Sequence, residues 1–293
     1  MTEPVFTKFS QAELDAQYNN QLACPDFAGI LARCAQLSQA AAGLPCERDV
    51  RWGDDTRESL DIYRPAQAGP SVGLPVVVYV HGGAWLILDK ESSAFAAPAF
   101  TQAGCIFVSM GFHTVSTTDF GTMVERVRYG IDWLAQHIHL HGGDPARIVL
   151  IGHSSGTHLV TQCLTHSPRS DALDTQPLAG ALLVSGLGDL EPVRLSYRNQ
   201  RLKLSAADAQ RYSLLSNEVR ASGPVDVVVA QDDTLEFKRQ SAEMASYLQQ
   251  RGLLRQHYEV PHKNHFDVIL DLTDPGSRLF QSAISLATRQ SPG

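Results

Sequence analysis

The chain's 293 residues carry 24 Lys and Arg against 31 Asp and Glu, a formal net charge of −7, which argues against the basic footprint of a nucleic-acid binder. Apolar residues at 43% and charged residues at 19% are the proportions of a globular chain that buries a large core. No run approaches the ~18 consecutive apolar residues of a membrane helix, and Met1–Ser10 lacks the basic start and apolar stretch of a secretion signal. The expectation is one cytoplasmic domain over residues 1–293, with no membrane or nucleic-acid partner. The five cysteines, at positions 24, 34, 46, 105 and 163, show no metal-ligand spacing and read as free thiols.

Residues 10–42 read as helical. Leu14, Tyr18 and Leu22 fall at helical spacing, and a second helix spans about Pro25 to Ala42. This N-terminal segment, residues 1–45, is expected to pack on the pocket. Glu47–Tyr63 reads as a strand pair closed by Arg64-Pro65. Pro75–Val80 is a continuous β-branched run, the kind buried on both faces of a sheet. Cys105–Met110, Arg147–Ile151, Gly180–Ser185, Val225–Ala230 and Tyr258–Val260 are further short strands, and Thr122–His139 is an amphipathic helix. Short apolar runs alternating with helices imply βαβ units and a mostly parallel sheet flanked by helices. Residues 189–222 break the rhythm and predict a small cap above the sheet's C-terminal edge. His137, His139 and His141 alternate, a spacing that does not put side chains on one helix face, so they read as surface residues.

Strand Ile148–Ile151 runs into Gly152-His153-Ser154-Ser155-Gly156 and then a helical stretch, Thr157–Thr165. This is G-x-S-x-G in strand–turn–helix context. A serine on so sharp a turn needs small neighbours, and the following helix N-terminus favours developing negative charge at its hydroxyl. Ser154 is therefore the expected nucleophile. His81-Gly82-Gly83-Ala84-Trp85 follows an earlier strand, and its glycines free the backbone to aim N–H groups at an oxyanion. Gly83 and Ala84, with the N–H of Ser155, are the expected donors, and His81 reads as a structural hydrogen-bonding residue of the loop. The order Ser, acid, His leaves Asp232, Asp233 and Glu236 competing for the acid, and His262 and His265 for the base.

Taken together, HGGAW, GHSSGTHL, the stretch Gln231–Ser241 and Asn264-His265-Phe266 resemble the kynurenine formamidase (arylformamidase) branch of the α/β-hydrolases. That branch shows HGGxW, GHSAGAHL, a D-S-P-E-F-x-x-Q-S acid loop and an x-H-F base motif. Glu13–Tyr18, Leu60–Pro65 and Gly186–Pro192 extend the likeness over nearly the whole chain. The resemblance implies an α/β-hydrolase fold and selects Asp233 as the acid and His265 as the base. It makes Asp232 and His262 bystanders and Glu236 a structural residue. The chain departs from the family pattern at Ala84, Ser155, Thr157, Leu235 and Gly188, none of which removes a catalytic group.

The implied activity is a serine hydrolase cleaving N-formyl or related acyl arylamines through an acyl-enzyme, with no metal or organic cofactor. The alternative is a carboxylesterase or carbamate hydrolase acting on aryl or short-acyl esters. A binding module that has lost catalysis is disfavoured because Ser, Asp, His and both loop glycines are all present. The partner is a small aromatic amide or ester, and a homodimer is compatible with this reading. Trp85, Leu235 and Phe266 are expected to line an apolar pocket. Gly188, at a strand's C-terminal end where the family often carries an aromatic residue, is expected to make that pocket roomy.

Overall fold

In the computed structural model, which describes residues 4–66, 73–165, 178–220 and 223–289, the chain opens with helices α1 (Gln11–Gln17) and α2 (Phe27–Ala40). Strands β1 (Cys46–Arg51) and β2 (Ser59–Tyr63) follow as an antiparallel pair. Next come β3 (Leu74–Val80), α3 (Ala97–Gln102), β4 (Ile106–Met110) and α4 (Phe120–His137). The chain continues through β5 (Gly143–His153), α5 (Ser155–Leu164) and β6 (Gly180–Val184) to the short helices α6 (Glu191–Leu195), α7 (Asn199–Leu202) and α8 (Ala206–Arg211). It ends with β7 (Val225–Ala230), α9 (Leu235–Gln249), β8 (Leu254–Val260) and α10 (Arg278–Ala287). The strands form one sheet in the order β1-β2-β4-β3-β5-β6-β7-β8. All neighbours from β4 to β8 run parallel. This is the expected α/β-hydrolase architecture.

The β-branched runs explain the sheet's central position. Along a strand successive side chains point to opposite faces, so a run with no polar alternation must be covered on both sides. In β3 and β5, Val76, Val78, Ile148 and Leu150 belong to one apolar core, whereas Val77, Tyr79, Val149 and Ile151 belong to the other. The first core is closed by Val124, Val127 and Ile131 of α4. The second is closed by Phe100 of α3, Leu279 and Phe280 of α10, and Ile30 and Cys34 of α2. Helix α4 starts at Phe120, two residues before the expected Thr122, because Asp119 caps it by accepting the Thr122 N–H at 2.9 Å. Among the described residues, no helix is long and apolar enough to cross a membrane.

One expected element is shorter than its spacing predicts. Helix α1 ends at Gln17, and Leu22 is 78% exposed instead of continuing the apolar face. The carbonyl of Tyr18, which another turn would have engaged, accepts the Arg198 guanidinium, with Nη2 at 2.6 Å and Nε at 3.1 Å. A long-range contact stops the helix there, so local periodicity misleads.

Two buried histidines tie the layers together. His158 of α5 donates from Nε2 to the Tyr212 carbonyl at 2.9 Å and accepts the Trp85 indole N–H at Nδ1, 3.2 Å. His153, at the end of β5, donates from Nε2 to the His265 carbonyl at 2.7 Å. Burial pushes the pKa of His158 down to about 4. Burial and the neighbouring His265 push that of His153 down to about 3.

Both histidines are neutral in the fold, while an unfolded chain takes up protons as pH falls through about 6.5. The unfolded state then binds more protons, so stability is full above that pH and is lost as pH falls toward the folded values. The thermal midpoint should be level between pH 7 and 8 and decline by several degrees between pH 6.5 and 5, before ordinary carboxylates titrate. A midpoint that stays level down to pH 5 would contradict this account of the two histidines.

Candidate active site

Ser154 sits between β5 and α5 at φ 54°, ψ −122°, a conformation that costs a non-glycine residue roughly 1–3 kcal/mol and persists only where packing enforces it. The flanking glycines show what enforces it. A Cβ on Gly156 would lie 2.1 Å from the Val80 carbonyl oxygen, and one on Gly152 would lie 2.6 Å from the Gly156 carbonyl oxygen. Helix α5 thus lies directly against the backbone of β3. The Ser154 N–H donates to the Val184 carbonyl at 3.0 Å, pinning the turn to β6.

The Ser154 hydroxyl lies 2.9 Å from Nε2 of His265, and Nδ1 of His265 lies 2.6 Å from Oδ1 of Asp233. The other oxygen of Asp233 accepts the Ser185 hydroxyl at 2.5 Å and the Ala230 N–H at 3.1 Å. Burial drives the Asp233 carboxyl upward. His265 beside it and the Ser185 and Ala230 donors outweigh that effect and hold its pKa below the ordinary value. Asp233 is thus a buried, ionised acceptor. Asp232 is exposed, with its N–H on the Lys263 carbonyl at 2.8 Å, and His262 is exposed as well. Glu236 is fully buried and accepts the Tyr18 hydroxyl at 3.1 Å and the Arg239 guanidinium. Ser185 and His153, which hold the acid and the His265 backbone, went unnoticed in the sequence. Ser185 ends an apolar strand run, and its φ of 46° has no local sequence signal.

The His81–Trp85 loop crosses the mouth of β3 with Gly83, Ala84 and Trp85 at φ 101°, 56° and 61°. A side chain at Gly83 would lie 2.1 Å from the Ile87 carbonyl oxygen. Among the described residues, the N–H groups of Gly83, Ala84 and Ser155 have no protein acceptor. They are available to an oxygen bound near Ser154. The Trp85 N–H donates to the Ser155 hydroxyl at 3.1 Å, tying this loop to the start of α5. His81 is buried, contacts the Gly82 carbonyl at 2.8 Å through Nδ1 and stacks on Phe112 at 4.2 Å.

A cavity of about 460 Å³ opens over Ser154 and His265, floored by Gly82, Gly83 and Ala84. Phe266 lines it, packed on Phe27 of α2 at a ring separation of 4.5 Å. Three other residues expected in the pocket lie elsewhere. Trp85 is 2% exposed and packs on Phe120 and His158, because the left-handed turn swings its indole into the core below the loop. Leu235 is 60% exposed on the first turn of α9, since burying Asp233 turns the residue two positions on toward solvent. Gly188 faces α9, where a Cβ would lie 2.4 Å from Cγ of Met244, and its N–H donates to Gln240 Oε1 at 2.8 Å. A larger residue there meets the core, so Gly188 makes no room for substrate. The wall comes instead from the N-terminal segment, through Phe27, Ile30 and Leu31, and from Arg198 of the cap region.

The family model described as BD-FAE matches residues 60–179. A kynurenine formamidase of Danio rerio is 34% identical over 279 residues, covering 90% of this chain and 92% of the relative. Among solved structures, a candidate thioesterase of a Silicibacter species superposes with a TM-score of 0.82 at 25% identity, covering 94% of this chain and 99% of that one. Esterase B of Lactobacillus rhamnosis superposes with a TM-score of 0.71 at 15% identity, covering 94% and 96%, a likeness of fold.

The Ser185 hydroxyl bond to Asp233 gives a test of the geometry. Hydrogen bonds to charged groups are worth about 1.5–3 kcal/mol. Ser185→Ala should lower kcat for hydrolysis of an activated aryl ester by roughly 10-fold while leaving KM nearly unchanged, since Ser185 does not line the cavity. An unaltered kcat would mean that Asp233 does not depend on this bond.

Proposed function

We propose that this chain, which belongs to the kynurenine formamidase family of α/β-hydrolases, hydrolyses N-formyl arylamines through an acyl-enzyme on Ser154. The observation that carries the reading is the continuous hydrogen-bonded chain from Ser154 through His265 to buried Asp233, opening beneath three unengaged N–H groups.

His265 Nε2 takes the proton of the Ser154 hydroxyl as Oγ attacks the formyl carbon. Asp233 fixes the imidazole tautomer and stabilises the imidazolium that forms. The N–H groups of Gly83, Ala84 and Ser155 receive the oxyanion, and each such donor is worth on the order of 100- to 1000-fold in rate. Collapse of the tetrahedral intermediate breaks the C–N bond, and His265 delivers its proton to the leaving arylamine nitrogen. Water, giving a proton to His265, attacks the formyl ester, and His265 returns that proton to Ser154 Oγ as the C–O bond breaks and formate leaves. The apolar wall of Phe27 and Phe266 suits an aromatic leaving group. The same machinery cleaves aryl esters, whose leaving oxygen demands less protonation. The esterase relatives favour retaining that activity as a second reading.

Ser154→Ala and His265→Ala should each lower kcat by roughly 10⁴-fold or more with the fold intact, and Asp233→Asn by a comparable factor. Asp232→Asn should remain close to the parent enzyme. Sensitivity at Asp232 in place of Asp233 would overturn the role given to the acid. On a panel of formanilides, acetanilides, carbamates and p-nitrophenyl esters, kcat/KM should favour the formanilides over the acetanilides. Equal rates on those two, or turnover of esters alone, would replace the formamidase reading with the esterase one.

A further inference from the structure

The loop that supplies the oxyanion donors is strained. Ala84 and Trp85 are consecutive non-glycine residues in the left-handed region, at φ 56° and 61°, directly after Gly83 at 101°. Such a run persists only where the surroundings enforce it. They do so at Trp85, where all three polar groups are engaged. Its carbonyl accepts the Val115 N–H at 2.8 Å, its indole N–H reaches Nδ1 of His158 at 3.2 Å, and its main-chain N–H donates to the Ser155 hydroxyl at 3.1 Å. Ser155 and His158 stand three residues apart on α5 and so meet the loop from one side of the helix. The indole bond holds a side chain, and the carbonyl bond holds the peptide that follows Trp85. Among the described residues, the Ser155 bond alone holds the Ala84–Trp85 peptide, the unit that adjoins the two donors.

Two further observations connect this bond to the reaction. Ser155 and Trp85 are both buried, so without the hydroxyl the Trp85 N–H becomes a buried donor with no acceptor, a state that the peptide relieves by turning. Gly83 and Ala84 line the cavity over Ser154, and a turn of the adjoining peptide carries their free N–H groups with it. Both ends of the contact are also places where the chain departs from the family pattern. Ser155 replaces the second alanine-type position of the nucleophile turn, where GHSAGAHL has Ala, and Ala84 has only a methyl group, which anchors nothing. The reaction at Ser154 uses the main-chain N–H of Ser155 and leaves its hydroxyl without a role.

We infer that the Ser155 hydroxyl is a positioning group of the oxyanion hole, which acts through Trp85 to aim the N–H groups of Gly83 and Ala84 at the acyl oxygen. The inference rests on hydrolysis at Ser154 as proposed above and gives the residue after the nucleophile two functions. Its N–H receives the oxyanion, and its side chain sets the other two donors. The hydroxyl touches no reacting atom, so its effect falls on the charge that develops at the acyl oxygen. Binding of the uncharged substrate is unaffected, and the transition state is weakened when the hydroxyl is lost.

Ser155→Ala adds no volume and removes the acceptor. It should lower kcat on p-nitrophenyl acetate by roughly 10- to 100-fold, part of the effect of losing a donor outright, with KM nearly unchanged. The deciding measurement compares two ketones as inhibitors. Trifluoroacetophenone accepts Ser154 Oγ at its carbonyl carbon: the O–C bond forms, the π pair moves to the oxygen as an oxyanion, and the hydroxyl proton passes to His265. Acetophenone occupies the same place with its carbonyl uncharged. In Ser155→Ala the inhibition constant of the fluorinated ketone should rise by about the factor by which kcat falls, while that of acetophenone stays put. Ser155→Cys, whose sulfur is a weaker acceptor, should fall between the variant and the parent. An unaltered kcat in Ser155→Ala would overturn the inference. So would equal weakening of both ketones, which would make Ser155 a packing residue. Should Ser155→Ala not fold, Ser155→Cys carries the same comparison: selective weakening of the fluorinated ketone supports the inference, and equal or no weakening overturns it. Formanilide measured beside the ester separates the two claims. If the parent cleaves the ester alone and the ester responds to Ser155→Ala, the formamidase reading fails and the inference stands. If the parent cleaves both and neither responds, the inference fails and the formamidase reading stands.

Discussion

The site depends on how closely helix α5 approaches strand β3. A helix that begins one residue after a strand can fold back onto the sheet only if the residue between them takes a left-handed turn and the contact positions carry no Cβ. Gly156 lies where a side chain would overlap the Val80 carbonyl oxygen, and Gly152 where one would overlap the first turn of the helix. Tertiary packing thus holds Ser154 in a conformation it would not adopt alone, and the strain has a chemical consequence. The hydroxyl stands clear of the sheet within reach of His265, and the first N–H of α5 remains unengaged beside it. The same approach sets the neighbouring loop, since the Trp85 N–H finds the Ser155 hydroxyl only because α5 lies so near.

Around that contact the protonation states are fixed by burial and pairing. Asp233 is charged although buried, because every oxygen of its carboxylate has a donor. His153 and His158 are neutral because each donates from one ring nitrogen to a backbone carbonyl in a site where a second proton would be an unpaired charge. The arrangement keeps one imidazole, that of His265, in contact with both a carboxylate and a hydroxyl. The charged and neutral groups are segregated within a few bonds of one another, so the ionised carboxylate of Asp233 and the neutral imidazoles of His153 and His158 coexist around one site.

What was legible in the sequence follows from the range of the forces that decide each feature. The β-branched runs and the G-x-S-x-G turn are local, and they foretold the strands and the place of Ser154. Asp233 and His265 were legible only through family likeness, because adjacent carboxylates and histidines at a strand end differ in nothing local; burial separates them from Asp232 and His262. Trp85, Leu235 and Gly188 lie away from the pocket for a common reason. Adjacency in sequence to a functional residue does not make a side chain face the pocket, because a left-handed turn or a helix start reverses side-chain direction within a residue or two. Leu22 fails in the same way, as Arg198 from far along the chain ends the helix that spacing would have extended. Ser185 was silent because a serine closing an apolar strand carries no mark of the carboxylate it will meet.

The two kinds of segment also divide the labour. The elements that hold Ser154, His265 and Asp233 are the C-terminal ends of β5, β7 and β8 and the turns that follow them, and a side chain added at Gly152 or Gly156 would meet backbone there. The walls facing them are α2, the turn after α1, and the cap with Arg198, all pieces outside the parallel sheet. The bonds that join them to the site include the Arg198 contact with the Tyr18 carbonyl, the Tyr18 hydroxyl on Glu236, and the Thr234 hydroxyl on the Gln17 carbonyl at 2.8 Å. Through these bonds the acid loop and the N-terminal wall share partners, so the wall is positioned by the loop that carries Asp233 without touching the reacting atoms.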